Sequence, residues 1–193
     1  MGIEFELKFL ATPEKLAQIR RDVAGQEQKF SMETTYFDTP THALSQRFLT
    51  LRCRKENGMS VCTLKTPEGK RGRGEYAVEC GDIQTALPEL CKLSKMPELA
   101  QLTAGGVKPV CGARFTRIAK TLILEDCTVE LALDEGILFS AQRDEALCEV
   151  EVELKSGSRE GAYAYAMALA GTFGLQREMT SKFRRALALT EGE

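Results

Sequence analysis

The sequence predicts an α+β protein whose antiparallel strands close into a barrel, with charged side chains lining the lumen and a few helices covering the outside. Three observations carry this. Most of the chain reads as short alternating runs separated by turn residues. In several of those runs one face is charged and the other apolar. Segments with helical spacing fall only between and after the strand blocks.

The first run, IEFELKFL at residues 3–10, puts Glu4, Glu6 and Lys8 on one face and Phe5, Leu7 and Phe9 on the other. Thr12 and Pro13 then supply an N-cap and a proline at the first helical position, and Leu16, Ile19 and Val23 continue at helical spacing to Gly25. Residues 29–81 return to alternation: KFSMETTYFDT, FLTLRCRKE, MSVCTLKTP and EYAVEC. Asn57-Gly58 forms the hairpin between the second and third runs, because both residues tolerate positive φ. Leucines at helical intervals in residues 83–104, interrupted by Pro88 and Pro97, predict two short helices or one broken one. A second strand block runs from Val107 to Leu154, with a turn expected at Asp134-Glu135-Gly136. Residues 158–174 then form a helix closed by Gly174.

A length of 193 residues suits one domain over 1–193, and no linker or repeat divides it. Apolar residues make up 43% and charged residues 28%, enough for one core with some charge inside it. The net charge of −2 carries no global nucleic-acid footprint. Seven scattered cysteines with no CxxC read as small core residues of a reducing compartment and not as a zinc site. With no signal peptide and no apolar run of membrane-spanning length, the expectation is a soluble cytoplasmic protein with no membrane partner.

The charged faces carry the chemistry. Glu149, Glu151 and Glu153 alternate with Val150, Val152 and Leu154, as Glu4, Glu6 and Lys8 do in the first run. Arg52 and Arg54 alternate with Leu51 and Cys53, and Lys65 shares a face with Thr63. Each such face taken alone could simply point at water. Together, three successive same-face glutamates repel one another unless a cation lies between them. Turned inward, these faces set carboxylates, which suit Mg²⁺ or Mn²⁺, against guanidinium and ammonium groups, which suit phosphate oxygens. A ligand bridging both sets is an anion that chelates a metal, and a polyphosphate chain fits that description.

In order along nearly the whole chain stand Glu4-Phe5-Glu6-Leu7-Lys8, Tyr36-Phe37-Asp38-Thr39, Leu51-Arg52-Cys53-Arg54, Thr63-Leu64-Lys65, Arg73-Gly74-Glu75, Arg117, Leu133-Asp134, Glu149-Val150-Glu151-Val152-Glu153 and Ser181-Lys182. This ordered set resembles the triphosphate tunnel metalloenzymes, or CYTH domains, and among them the bacterial inorganic triphosphatases. The resemblance implies a closed eight-stranded antiparallel tunnel. It assigns one or two divalent ions to Glu4, Glu6, Glu149, Glu151, Glu153 and Asp134. It assigns the phosphate chain to Lys8, Arg52, Arg54, Lys65, Arg73, Arg117 and Lys182. The small-molecule substrate it implies is tripolyphosphate, cleaved to diphosphate and phosphate with Lys8, Glu6, Arg52 and Arg54 at the reaction centre. A class IV adenylyl cyclase, a thiamine or nucleoside triphosphatase and a non-catalytic polyphosphate-binding module are the other readings. The absence of Trp and the presence of only four Tyr favour an inorganic substrate, since an organic one needs a ring to stack on.

Four further positions are weighed on their own. Asp38 reads either as a turn former before Pro40 or as a lumen residue, and Asp134 either as a turn residue or as a lumen one. Arg184 and Arg185 read as a solvated face, and His42 as a loop residue. The glycine-rich GKRGRG reads as a basic loop and not a P-loop, because it lacks the GKS or GKT ending.

Overall fold

The structure is a computed structural model that describes residues 5–69 and 72–190; the side chains of residues 68, 69, 72 and 73 lie outside that description. Its strands are β1 (Glu6–Leu10), β2 (Glu27–Asp38), β3 (Thr50–Glu56), β4 (Met59–Gly69), β5 (Gly72–Glu79), β6 (Lys108–Ile123), β7 (Cys127–Ser140), β8 (Asp144–Gly157) and β9 (Gln176–Glu178). The helices are α1 (Pro13–Asp22), α2 (Ile83–Ser94), α3 (Pro97–Thr103), α4 (Arg159–Phe173) and α5 (Lys182–Ala188). All paired strands are antiparallel and form one sheet in the order β5-β4-β3-β2-β6-β7-β8-β1-β9. The α+β class stands, whereas the closed eight-stranded barrel is corrected to a nine-stranded open sheet.

The extra strand is β9, three residues that pair Lys8 with Glu178 and Leu10 with Gln176 along the outer edge of β1. Helix α5 packs on β6 and β7, on the face that carries Arg117 and Asp134.

Register shows which residues share the concave face. Lys8 lies opposite Glu151, Glu6 opposite Glu153, Glu149 opposite Asp134, Asp134 opposite Arg117, and Arg52 opposite Tyr36. Because side chains alternate, their neighbours in sequence face outward and build two cores. Leu7, Phe9, Leu131, Leu133, Val150 and Val152 pack under α1 and α4, with Ala162, Ala166 and Leu169 coming from α4. Leu51, Cys62 and Leu64 pack under α2 and α3, with Leu87, Leu90 and Leu99 coming from those helices.

Local signals explain most boundaries. Thr12 caps α1, with Pro13 at its first position, and Ser158 caps α4, which ends on Gly174 in the left-handed region at φ 59°. Asn57 and Gly58, at φ 47° and 93°, form the β3–β4 hairpin. The turn expected at Asp134-Glu135-Gly136 is absent, since β7 passes straight through these residues and pairs on both sides. Gly136 is there for close approach, because a Cβ on it would lie 2.2 Å from the Arg114 carbonyl oxygen on β6. GKRGRG falls in the β4–β5 segment; Lys70 and Arg71 lie outside the described residues, while Gly72, Arg73 and Gly74 open β5.

Candidate active site

The concave face forms a cleft lined by Glu6 and Lys8 of β1, Tyr36 of β2, Thr50, Arg52 and Arg54 of β3, Lys65 of β4, Arg117 of β6, Glu151 and Glu153 of β8, and Ser181, Lys182 and Phe183 at the start of α5. Six cationic side chains therefore face three carboxylates inside a protein whose overall charge is negative. Burial within low-dielectric walls concentrates that local positive potential.

At the bottom of the cleft is a buried ionic network. The Lys182 ammonium donates to Glu149 at 2.7 Å and Glu151 at 2.6 Å, and lies 2.9 Å from Asp134. Arg117 donates twice to Asp134, both at 2.7 Å, and also to Glu151. Arg185 donates to Glu149 at 3.0 Å and to Glu145 at 2.9 Å. Burial alone would raise the Glu151 pKa, but Lys182 and Arg117 outweigh it and hold this carboxyl well below its usual value. For Glu149 burial wins over Lys182, pushing it up to about 7. Burial would lower the Lys182 pKa, yet the surrounding carboxylates raise it. The Tyr36 and Phe183 rings, with centroids 5.0 Å apart, anchor α5 against the sheet.

The upper wall is different. Arg52 reaches Glu75 of β5 at 3.2 Å, and Lys65 lies 3.2 Å from the same carboxylate. Arg54 makes no ion pair among the described residues, and burial, followed by repulsion from Arg52, lowers its pKa to about 10. The buried Nε atoms of both Arg52 and Arg54 lack a hydrogen-bond partner. Buried guanidinium donors without acceptors are costly in a native fold, and anionic oxygens would satisfy them.

The structure thus brings together Glu6, Lys8, Arg52, Arg54, Lys65, Arg117, Glu151, Glu153 and Lys182. Asp134 and Glu149 do not line the cleft; fully buried, they hold Lys182, Arg117 and Arg185. Glu4 lies outside the described residues, as does the side chain of Arg73. Asp38 takes the turn role, accepting the amides of Thr39, Leu44 and Ser45 at 2.7–3.0 Å. Sequence reasoning missed Arg185, which had been placed on a solvated face, and gave no role to Glu75. Glu75 could have been found, since it shares a face with Ala77 and faces Lys65 across the hairpin. Arg185 could not, because its partners Glu145 and Glu149 are set by where α5 docks.

Glu6, Glu151 and Glu153 offer oxygen donors only, the chemistry that hard divalent cations select. Among the described residues, no group of three or more carboxylate, imidazole or thiol side chains is set at metal-holding distances. Glu151 is engaged by Lys182 and Arg117. Glu6 and Glu153 stand opposite each other on β1 and β8, with Lys8 3.9 Å from Glu6 and Lys155 donating to Glu153 at 2.9 Å, and as oxygen donors they fit such an ion in kind.

With a single antiparallel sheet around a cleft that has both cationic and carboxylate walls, the chain belongs to the CYTH domain family, whose model matches residues 2–187. It is 25% identical to the inorganic triphosphatase of Haemophilus influenzae over 96% of this chain and 54% of that protein, so it spans about half the length of that relative. Among solved structures, the Hippeastrum protein HpAC1, described as an adenylyl cyclase candidate with a dominant triphosphatase activity, superposes with a TM-score of 0.63 at 19% identity, over 97% of this chain and 95% of that one. The Pyrococcus horikoshii protein PH1819 superposes with a TM-score of 0.60 at 21% identity, over 96% and 98% of the two chains. No helix among the described residues is long and apolar enough to cross a membrane.

Proposed function

We propose that this chain is a divalent-metal-dependent triphosphatase that hydrolyses tripolyphosphate to diphosphate and phosphate. The observation that carries the reading is the convergence of six cationic side chains, Lys8, Arg52, Arg54, Lys65, Arg117 and Lys182, on one cleft. A phosphate chain supplies the many acceptor oxygens such a set requires. Family membership and the Haemophilus relative support the same direction.

In this mechanism Arg52, Arg54 and Lys65 grip the chain, while Lys8 and Arg117 offset charge that grows on the transferring and leaving groups. Glu6 and Glu153 would hold the divalent cation, Mg²⁺ or Mn²⁺, which when bound polarises phosphoryl oxygens and lowers the pKa of water. Asp134 and Glu149 keep Lys182 and Arg117 in position, so that no donor reorganises during the reaction. Water attacks the terminal phosphorus, the bridging P–O bond breaks, and diphosphate leaves with the electron pair. A last-strand glutamate takes the proton of the attacking water.

Glu6→Gln removes a carboxylate of the metal pair while preserving shape. Phosphate release from tripolyphosphate at saturating Mg²⁺ or Mn²⁺ is expected to fall by about 10²-fold or more, the scale set by lost metal-ion catalysis. A variant retaining wild-type turnover would show that Glu6 holds no catalytic metal.

A further inference from the structure

Four of the seven cysteines gather on the side of the sheet away from the cleft, in the core under α2 and α3: Cys53 of β3, Cys62 of β4, Cys80 just after β5, and Cys91 of α2. All are free thiols, and the chemistry of the cleft uses none of them. Cys53 and Cys62 are direct partners across the β3–β4 hairpin. The chain turns there through Asn57 and Gly58, both at positive φ, and in a two-residue loop of this kind the flanking pair, here Glu56 and Met59, is hydrogen-bonded. Paired residues alternate from that point, so that Cys53–Cys62 is a non-hydrogen-bonded pair, the kind whose Cα atoms lie about 4.5 Å apart. A disulfide can span that distance.

The two sulfurs also point to one place. The Cys62 thiol donates to the Cys80 carbonyl oxygen at 3.1 Å, and the Cys53 thiol donates to the same oxygen at 3.7 Å. The Cys80 thiol instead donates to the Asp82 carbonyl at 3.3 Å, toward the start of α2. The partners differ in access, since Cys62 is fully buried and Cys53 only partly so. Burial, with the Cys53 thiol next in effect, pushes the Cys62 thiol above its usual pKa. An oxidant from solvent therefore meets Cys53 first, and Cys62 stands behind it as the thiol that completes a bond. The same two strands carry the cleft. Cys53 lies between Arg52 and Arg54, and Lys65 follows Cys62 three residues on, with all three cations facing the other way.

We propose that Cys53 and Cys62 form a redox modification site, a dithiol that hydrogen peroxide converts to a cross-strand disulfide, and that this bond weakens the hold of Arg52 and Arg54 on an anion. The Cys53 sulfur attacks the peroxide, the O–O bond breaks, and Cys53 becomes a sulfenic acid as one water leaves. The Cys62 sulfur then bonds to the Cys53 sulfur, and the sulfenic hydroxyl departs with the Cys62 proton as a second water. The two sulfurs together lose two electrons, which the peroxide gains. Two glutathione thiols reverse the change and leave as glutathione disulfide. Disulfides most often hold their Cα atoms ~5.5–6 Å apart, so the bond spreads the β3–β4 pair beyond its ~4.5 Å spacing. Arg52 and Arg54, on either side of Cys53, move with that strand. The effect on the anion rests on the triphosphatase reading, whereas the bond itself does not.

The test treats the folded protein with hydrogen peroxide, caps the remaining thiols with iodoacetamide and maps disulfides by peptide mass spectrometry. Wild type should yield a cross-linked peptide joining Cys53 to Cys62, cleaved by dithiothreitol. No disulfide, or one joining Cys80 to either residue in its place, would overturn the assignment. In a second arm, calorimetry in EDTA reads tripolyphosphate affinity apart from turnover. Peroxide should weaken binding by wild type about tenfold, the usual size of coupling between two sites, and dithiothreitol should restore it. Cys53→Ser should bind as reduced wild type does and should not respond to peroxide. Unchanged affinity with the bond in place, or an equal loss in Cys53→Ser, would overturn the link to the cleft. Failure of the triphosphatase reading looks different: the reduced protein releases no phosphate from tripolyphosphate with Mg²⁺ or Mn²⁺, while the disulfide and the affinity change persist.

Discussion

Lys182 is the residue on which the inner charges converge. One ammonium serves Asp134, Glu149 and Glu151; at Glu149 burial outweighs Lys182, whereas at Glu151 Lys182 and Arg117 together outweigh burial. Glu149 is raised to about 7 from a usual 4.5, so the folded protein binds more protons than the unfolded chain between those values, and stability contributed there is lost as pH rises through that window. Glu151 is lowered, so its contribution is present above 4.5 and lost as pH falls below it. In urea titrations across pH 4–8, Glu149→Gln should lose less stability than wild type between pH 5 and 7. Parallel curves for the two proteins would contradict this. Removing the shared cation is the harsher change: Lys182→Met should cost ~3–5 kcal/mol by leaving buried carboxylates uncompensated, read as a lowered midpoint in the same titration.

Elements differed in how far the sequence disclosed them, and particular residues show why. The β1 and β8 faces were legible because charged side chains alternate there with apolar ones, and α1 and α4 because Thr12, Pro13, Ser158 and Gly174 mark their ends. Strand β9 was not legible: three residues carry no periodicity, and Gln176–Glu178 is extended only because the edge of β1 lies beside it. The Asp134-Glu135-Gly136 reading failed because a glycine that permits a turn also permits close strand contact, and sequence does not separate the two uses. Gly58 is the reverse case. A Cβ there would meet nothing within 4 Å, yet φ is 93°, so Gly58→Ala should cost ~1 kcal/mol through backbone strain alone, visible as a lower thermal midpoint with unchanged cleft chemistry. Leu131→Ala, at a fully buried position under α1 and α4, should cost ~2–5 kcal/mol by leaving a cavity.

At the scale of the whole molecule, charge patterning gave the inward face and family resemblance the antiparallel pairing, but neither gave the openness of the sheet or its ninth strand. Alternation says which face a side chain takes; it does not say whether the sheet's edges meet. Helix α5 takes an inward route that rests on Phe183 meeting Tyr36 and Lys182 meeting carboxylates from two other strands. The same helix explains why most site residues were legible while Arg185 was not. The cleft follows from strand parity, whereas the partners of Arg185, Glu145 and Glu149, depend on where α5 docks.

Docking of α5 also sets an order of events during folding. Strand β1 cannot pair until β8 exists, since Glu6 aligns with Glu153, and the carboxylates of Asp134, Glu149 and Glu151 stay without their shared counter-ion until residue 182 is in place. Contacts so distant along the chain close late and slowly. In refolding experiments, tryptophan introduced at Phe183 should report its change after the sheet's circular dichroism signal has returned, making the electrostatics of the cleft the last property the molecule acquires.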